Sequence, residues 1–171
     1  AIALLHLISF LQEWGYDGPN QLSLEGRTMK VRDILRGKGV EVATIHPEVT
    51  IHDALTVLID RRIGSLMVTD EGGRIIGILT ERDILRECAA RSEQIKETRV
   101  REVMTTNLII GVPDDEIGYV MGIMTQNRIR HLPIIADEKL EGLISIGDVV
   151  KAQLEETEFE NRYLKDYIQR Q

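Results

Sequence analysis

Two stretches of this chain carry the same order of apolar and polar positions. Short aliphatic runs at 42–45 and 109–112 each lead to a proline, Pro47 and Pro113, and read as strands closed by a residue that cannot donate to a ladder. After each proline the apolar period lengthens to that of a helix. Ile51, Leu55, Leu58 and Ile59 share one face over 51–61, and Ile117, Val120, Met121 and Met124 share one over about 115–127. Two further strands follow in each copy, 65–69 with 75–80 and 132–136 with 140–145, joined by turns rich in Asp, Gly and Glu. A second helix opens at TERD (80–83) and at SIGD (145–148). The predicted order is β-α-β-β-α, twice, with a lead-in segment before each copy: an α/β (α+β) fold.

The copies align by hand. VRDIL (31–35) lies on VREVM (100–104), RRIGSLMV (61–68) on NRIRHLPI (127–134), and GILTERDIL (77–85) on GLISIGDVV (142–150). The spacing from proline to glycine is 30 residues in the first copy and 29 in the second, and the extra residue falls in the DEGGR turn, where insertion is cheapest. One such unit is too small to cover both faces of a three-stranded sheet. Packing the copies together solves this and predicts a pseudo-twofold module with a cleft between them. The connecting RSEQIKETR (91–99) is short and charged, so the expectation is one domain with repeats over 29–92 and 93–155.

The ends read differently. AIALLHLISFL at the start is apolar but too short to span a bilayer and lacks a basic leader region. GYDGPNQ then interrupts it, so residues 1–28 are expected to be an extension outside the repeats, either upstream sequence or an artificial addition. From Asp148 onward no Gly or Pro occurs, and a long C-terminal helix is expected to run on through 156–171. Val150, Leu154, Thr157, Asn161, Leu164 and Ile168 form a heptad seam, with Phe159, Tyr163 and Tyr167 as a second stripe. Two readings stand for it: folding back on its own chain, or pairing with a second copy, which is preferred.

Composition narrows the chemistry. Net charge is −7 with no basic run, which argues against nucleic acid. Aromatics are only 4% of the chain, so the core is expected to be aliphatic. The single cysteine, Cys88, rules out an internal disulfide, suits a reducing cytoplasm and reads as a core filler. His6, His46 and His52 have no metal-ligand spacing, and the acids of PDDE (113–116) suit a helix start rather than a metal. No nucleophile–base pair or phosphate-cradling glycine loop is visible, so no enzyme is expected.

The duplicated corner carries the remaining signal. Thr80 with Asp83, and Ser145 with Asp148, have the spacing of a helix capping box. They also lie where a strand delivers a helix amino-terminus to the inter-repeat cleft, a place suited to phosphate. A carboxylate one turn in repels phosphate but accepts two hydrogen bonds from a vicinal diol. Capping and nucleotide binding are compatible, and both readings stand.

The ordered pair of these segments resembles a cystathionine-β-synthase (CBS) domain pair, the Bateman module, over about residues 29–155. The resemblance implies a stand-alone regulatory module whose cleft takes AMP, ADP or ATP, or else S-adenosylmethionine or an NAD-type ligand. It implies that Asp83 and Asp148 contact ribose, that Thr80 and Ser145 lie at phosphate, and that Thr44, Ile45, Ile109 and Ile110 flank adenine. Where the first copy has Gly64 and Ser65, the second has Arg130 and His131, so the second site is expected to prefer more phosphate. Arg82 reads as a surface ion-pair partner. The resemblance further implies a disc-like homodimer and an unidentified regulated protein. The competing reading is a structural dimerisation or adaptor module with vestigial clefts.

Overall fold

The computed structural model describes residues 28–169 except residue 40, and several side chains near the end of the last helix are not described. The expectations for residues 1–27, including His6, and for the side chains of Tyr163, Leu164 and Tyr167 lie outside what is described.

The first copy runs β1 (Thr44–Ile45), α2 (Ile51–Arg61), β2 (Ser65–Thr69), β3 (Ile75–Thr80) and α3 (Glu81–Arg91), preceded by the lead-in helix α1 (Val31–Lys38). A short 3-10 turn, Ser92–Gln94, leads to the second lead-in, α4 (Val100–Val103). The second copy follows as α5 (Ile117–Gln126), β4 (His131–Ala136), β5 (Lys139–Ser145) and the long α6 (Ile146–Gln169). In the first sheet β1 pairs parallel with β2, and β2 antiparallel with β3. The second sheet is the antiparallel pair β4–β5.

The expected strand at 109–112 does not form: the second copy keeps only a single parallel bridge, Gly111 to Ile134. Gly111 donates to the Pro133 carbonyl and accepts from Ile135. One residue on, the Val112 amide turns away to the Asp115 carboxylate at 2.8 Å, so the ladder stops. The same carboxylate turn delays α5, which begins at Ile117 rather than near 115. In the first copy regular pairing likewise covers only Thr44 and Ile45, although the Ala43 carbonyl still accepts from Met67. On α2 the buried face is Ile51, Ala54 and Leu58, whereas Ile59 is exposed, because three-and-four spacing from Ile51 rotates it past the stripe.

The lead-ins cross over. Val31 and Leu35 of α1 are buried with Val120, Met124 and Leu132 of the second copy, while Val100 of α4 is buried with Ile51, Leu66 and Leu79 of the first. Matching backbone bonds fix each crossing: Val31 and Arg32 donate to the carbonyls of Asp115 and Pro113, and Val100 and Arg101 to those of Val49 and Pro47. Lys30 and Arg32 both pair with Asp114, so this acidic run helps hold the lead-in. Neither copy closes its core without the other's lead-in.

Candidate functional site

Strand-to-helix corners form in both copies with nearly the same geometry. At the first, Asp83 Oδ2 accepts from the Thr80 amide at 3.0 Å and its hydroxyl at 2.6 Å, and the Asp83 amide donates back to Thr80 Oγ1 at 3.4 Å. At the second, Asp148 Oδ2 accepts from the Ser145 amide and hydroxyl, both at 2.7 Å, and the return bond is 3.2 Å. The capping reading is therefore realised twice. At each corner the amide and hydroxyl of the Thr or Ser converge on one carboxylate oxygen, with Oδ1 of Asp148 left without a short partner among the described residues.

Beside the second corner a cavity of about 540 Å³ opens between the copies. The first copy supplies Val42, Ala43, Ile63, Gly64 and Ser65, and the second supplies His131, Leu143 and Ser145. Its polar rim is Lys38, Glu41, Arg61 and Arg62. Chain pairing explains why these groups meet: Ser65 lies opposite Thr80, and His131 opposite Ser145, at matching ends of the two hairpins. Gly64 is one place where the halves touch, since a Cβ there would come within 3.2 Å of the His131 ring.

The charges in the cleft are paired unevenly. Lys38 Nζ donates to Asp148 Oδ2 at 2.5 Å and to the Leu143 carbonyl at 3.1 Å. Partial burial pushes the Asp148 carboxyl up, but the Lys38 ammonium and the two Ser145 donors more than offset this and hold it below the usual carboxylate value. Burial lowers the His131 imidazole, reinforced by Lys38 and Arg130 against the pull of Glu81 and Asp148, so its neutral form is favoured. Arg61 reaches only 3.9 Å from an exposed Glu41, so the rim keeps accessible positive charge.

Of the residues singled out by sequence, Gly64, Ser65, His131 and Ser145 wall this cavity, and Asp148 is tied to it through Ser145 and Lys38. Thr80 and Asp83 form the other corner, half-buried and not part of this wall. The aliphatic wall is displaced along the first strand: Val42 and Ala43 face the cavity, Thr44 is exposed outside its wall, and Ile45 is buried in the first core. Ile109 packs on the second core and Ile110 is exposed. Arg130 is exposed and outside the wall. Arg82 makes no ion pair among the described residues; it donates to the Arg128 carbonyl at 2.9 Å and so bridges the copies. Lys38, Arg61 and Arg62 were not singled out. For Lys38 the signal was present: extending the lead-in alignment sets VRDILRGK on VREVMTTN and places Lys38 on Asn107.

Comparisons with known proteins agree with this architecture. The CBS domain profile matches residues 31–90 and again 100–155. The mitochondrial CBS domain-containing protein CBSX3 of Arabidopsis thaliana is 39% identical over 124 residues, which are 70% of this chain and 60% of that relative's length. The CBS domain-containing protein YhcV of Bacillus subtilis is 33% identical over 67% of this chain and 80% of its own. Among solved structures, the CBS-domain protein ATU1752 of Agrobacterium tumefaciens superposes with a TM-score of 0.73 at 38% identity, covering 77% of this chain and 98% of its own. The CBS domain pair of protein MJ0100, solved with 5′-methylthioadenosine and S-adenosyl-L-methionine, superposes with a TM-score of 0.63 at 29% identity over 72% of this chain and 94% of its own. With two tandem matches, crossed lead-ins and a cleft between the copies, the chain belongs to the CBS domain family as a domain pair.

Proposed function

We propose that this CBS domain pair is a regulatory module that senses an adenosine nucleotide, AMP, ADP or ATP, in the cleft between its repeats. The observation that carries the reading is the duplicated Thr80–Asp83 and Ser145–Asp148 corner, the second set at a 540 Å³ cavity with a cationic rim. That volume lies within the roughly 300–1,000 Å³ typical of small-molecule sites. Asp148 offers a vicinal ribose diol an acceptor, and Ser145 with the amino-terminus of α6 offers phosphate a donor set. Val42 and Ile63 give an adenine ring apolar flanks, and Arg61 and Arg62 suit further phosphates. Asp83 and Thr80 have the same roles at the first corner. No group of three or more His, Cys, Asp or Glu among the described residues is placed to hold a metal, and the reading is binding without chemistry. No helix of the described residues is long and apolar enough to cross a membrane.

The adenosine ligands of the MJ0100 domain pair support the ligand class. S-adenosylmethionine and NAD are the competing ligands, and an adaptor with vestigial clefts is the competing function. A melting panel separates them. A ligand at a hundred times its Kd stabilises by about 2.7 kcal/mol, which for a chain of this size raises Tm by roughly 5–10 °C at about 2–4 °C per kcal/mol. AMP, ADP or ATP is expected to give that shift and S-adenosylmethionine and NAD a smaller one. No shift with any of the five sinks the sensor reading and leaves the adaptor.

Assembly belongs to the same reading. The neighbouring CBS-CP12 protein from bloom-forming cyanobacteria is hexameric. For this chain the exposed Leu154, Phe159 and Ile168 along α6 support a homodimer, with the partner that receives the signal docking on the assembled pair.

A further inference from the structure

Lys38 occupies a position that the repeat pattern does not explain. It ends α1, the helix that crosses to the second copy, and its ammonium sits on the carboxylate that the proposed function assigns to ribose. Asp148 Oδ2 already accepts three donors: the Ser145 amide at 2.7 Å, the Ser145 hydroxyl at 2.7 Å and Lys38 Nζ at 2.5 Å. Oδ1 has no short partner among the described residues, but a diol that bridges both carboxylate oxygens has to displace a donor from the crowded Oδ2. The two Ser145 donors are fixed by the corner itself. Lys38 is the donor free to leave, a point charge on a four-carbon stem with 41% of its side chain exposed.

We propose that Lys38 sets the charge selectivity of this cleft by exchange: an incoming ribose takes its place on Asp148, and the released ammonium moves to the ligand's phosphate. The inference rests on the cleft being an adenosine site. A ligand with a diol and no anionic group breaks the Lys38–Asp148 pair and returns nothing. A ligand with a phosphate gives the ammonium a new anion within the same cavity, whose wall already includes Lys38. The cleft therefore rejects neutral and cationic adenosine compounds in favour of anionic ones. The first corner lacks this device. Its matching position is Asn107, and the cation near Asp83 is Arg86 of the same helix, 3.7 Å away and 73% exposed.

The test uses the full chain with Asp83→Ala, which silences the first corner, and compares titrations of adenosine and AMP with and without Lys38→Met. With exchange, Lys38→Met weakens AMP at least tenfold while adenosine binds as well or better, so the AMP-to-adenosine preference falls at least tenfold. Lys38→Arg, which keeps the charge, should retain a preference for AMP and guards against a folding artefact. If both ligands change by the same factor in Lys38→Met, Lys38 is a structural pair and the exchange is overturned while the adenosine site stands. Binding that disappears with Asp83→Ala alone puts the ligand in the other cleft and also overturns it. Failure of the unsubstituted chain to bind either ligand overturns the adenosine reading itself.

Discussion

Glycine in the repeated motif has a reason that only the packed fold displays. At Gly142 an added Cβ would lie 2.6 Å from Leu35 Cδ2, and at Gly77 it would lie 2.9 Å from Met104 Sδ and 3.0 Å from the Thr105 carbonyl. Leu35 and Met104 are equivalent positions of the two crossed lead-ins, so each repeat keeps a glycine because the other repeat's lead-in rests on it. The repetition was legible in the sequence; its cause was not, because the partner side chain lies far away in the chain. Gly77→Ala is expected to cost about 1–3 kcal/mol by overpacking. Gly142→Ala should cost less, since a leucine side chain yields more easily than a carbonyl held in the Ile78–Thr105 bridge. Gly122 is an exposed position inside α5 with nothing within 4 Å of a new Cβ, so Gly122→Ala should stabilise by up to about 1 kcal/mol. Chemical denaturation of the three variants checks the order, and a stabilising Gly77→Ala would contradict the crossed packing.

The hairpins and long helices followed from apolar period, because strand alternation and the α2 and α5 stripes are local signals. What failed were the features decided by tertiary hydrogen bonds. The 109–112 run has the composition of a strand, yet Asp115 diverts the Val112 amide and leaves one bridge. The lead-ins were read only as segments before each copy, with no helix assigned, because VREV alone is too short to present a helical period. Helix α6 was legible throughout, but its surroundings were not. Ala152 is the last buried residue among those described, and the 17 residues of the helix after it extend about 25 Å at 1.5 Å each. A helix of that length is marginal in water on its own. Exposed Leu154, Phe159 and Ile168 are the apolar positions through which a second copy would stabilise it. Ending the chain after Glu158 removes two of them while keeping the 2.9 Å bond from the Met29 amide to Glu156. Light scattering is expected to find the full chain dimeric and the shortened chain weaker in self-association by tenfold or more. A full-length monomer at high concentration would contradict the pairing.

Across the whole molecule, pseudo-twofold symmetry was readable from the duplication, whereas the cations that line the cavity were not. Arg130 was expected at the phosphate position, but the cavity rim is built from Lys38, Arg61 and Arg62, brought together by the crossing of α1 and the end of α2. No one-repeat pattern contains that juxtaposition. The paired corners remain the centre of the functional reading, because their geometry is that of a helix cap and is the one on which the proposed ribose contact rests. Capping alone assigns Asp83→Ala and Asp148→Ala a stability loss of about 0.5–2 kcal/mol each, by analogy with lost helix caps, and no binding phenotype. The direct measurement is calorimetric titration of AMP into the full chain and into the Asp83→Ala/Asp148→Ala double variant, at a temperature where both are folded. If the corners hold ribose, the full chain binds AMP and the double variant loses at least a hundredfold in affinity. Unchanged AMP affinity in the folded double variant would contradict it and leave the two aspartates as helix caps only.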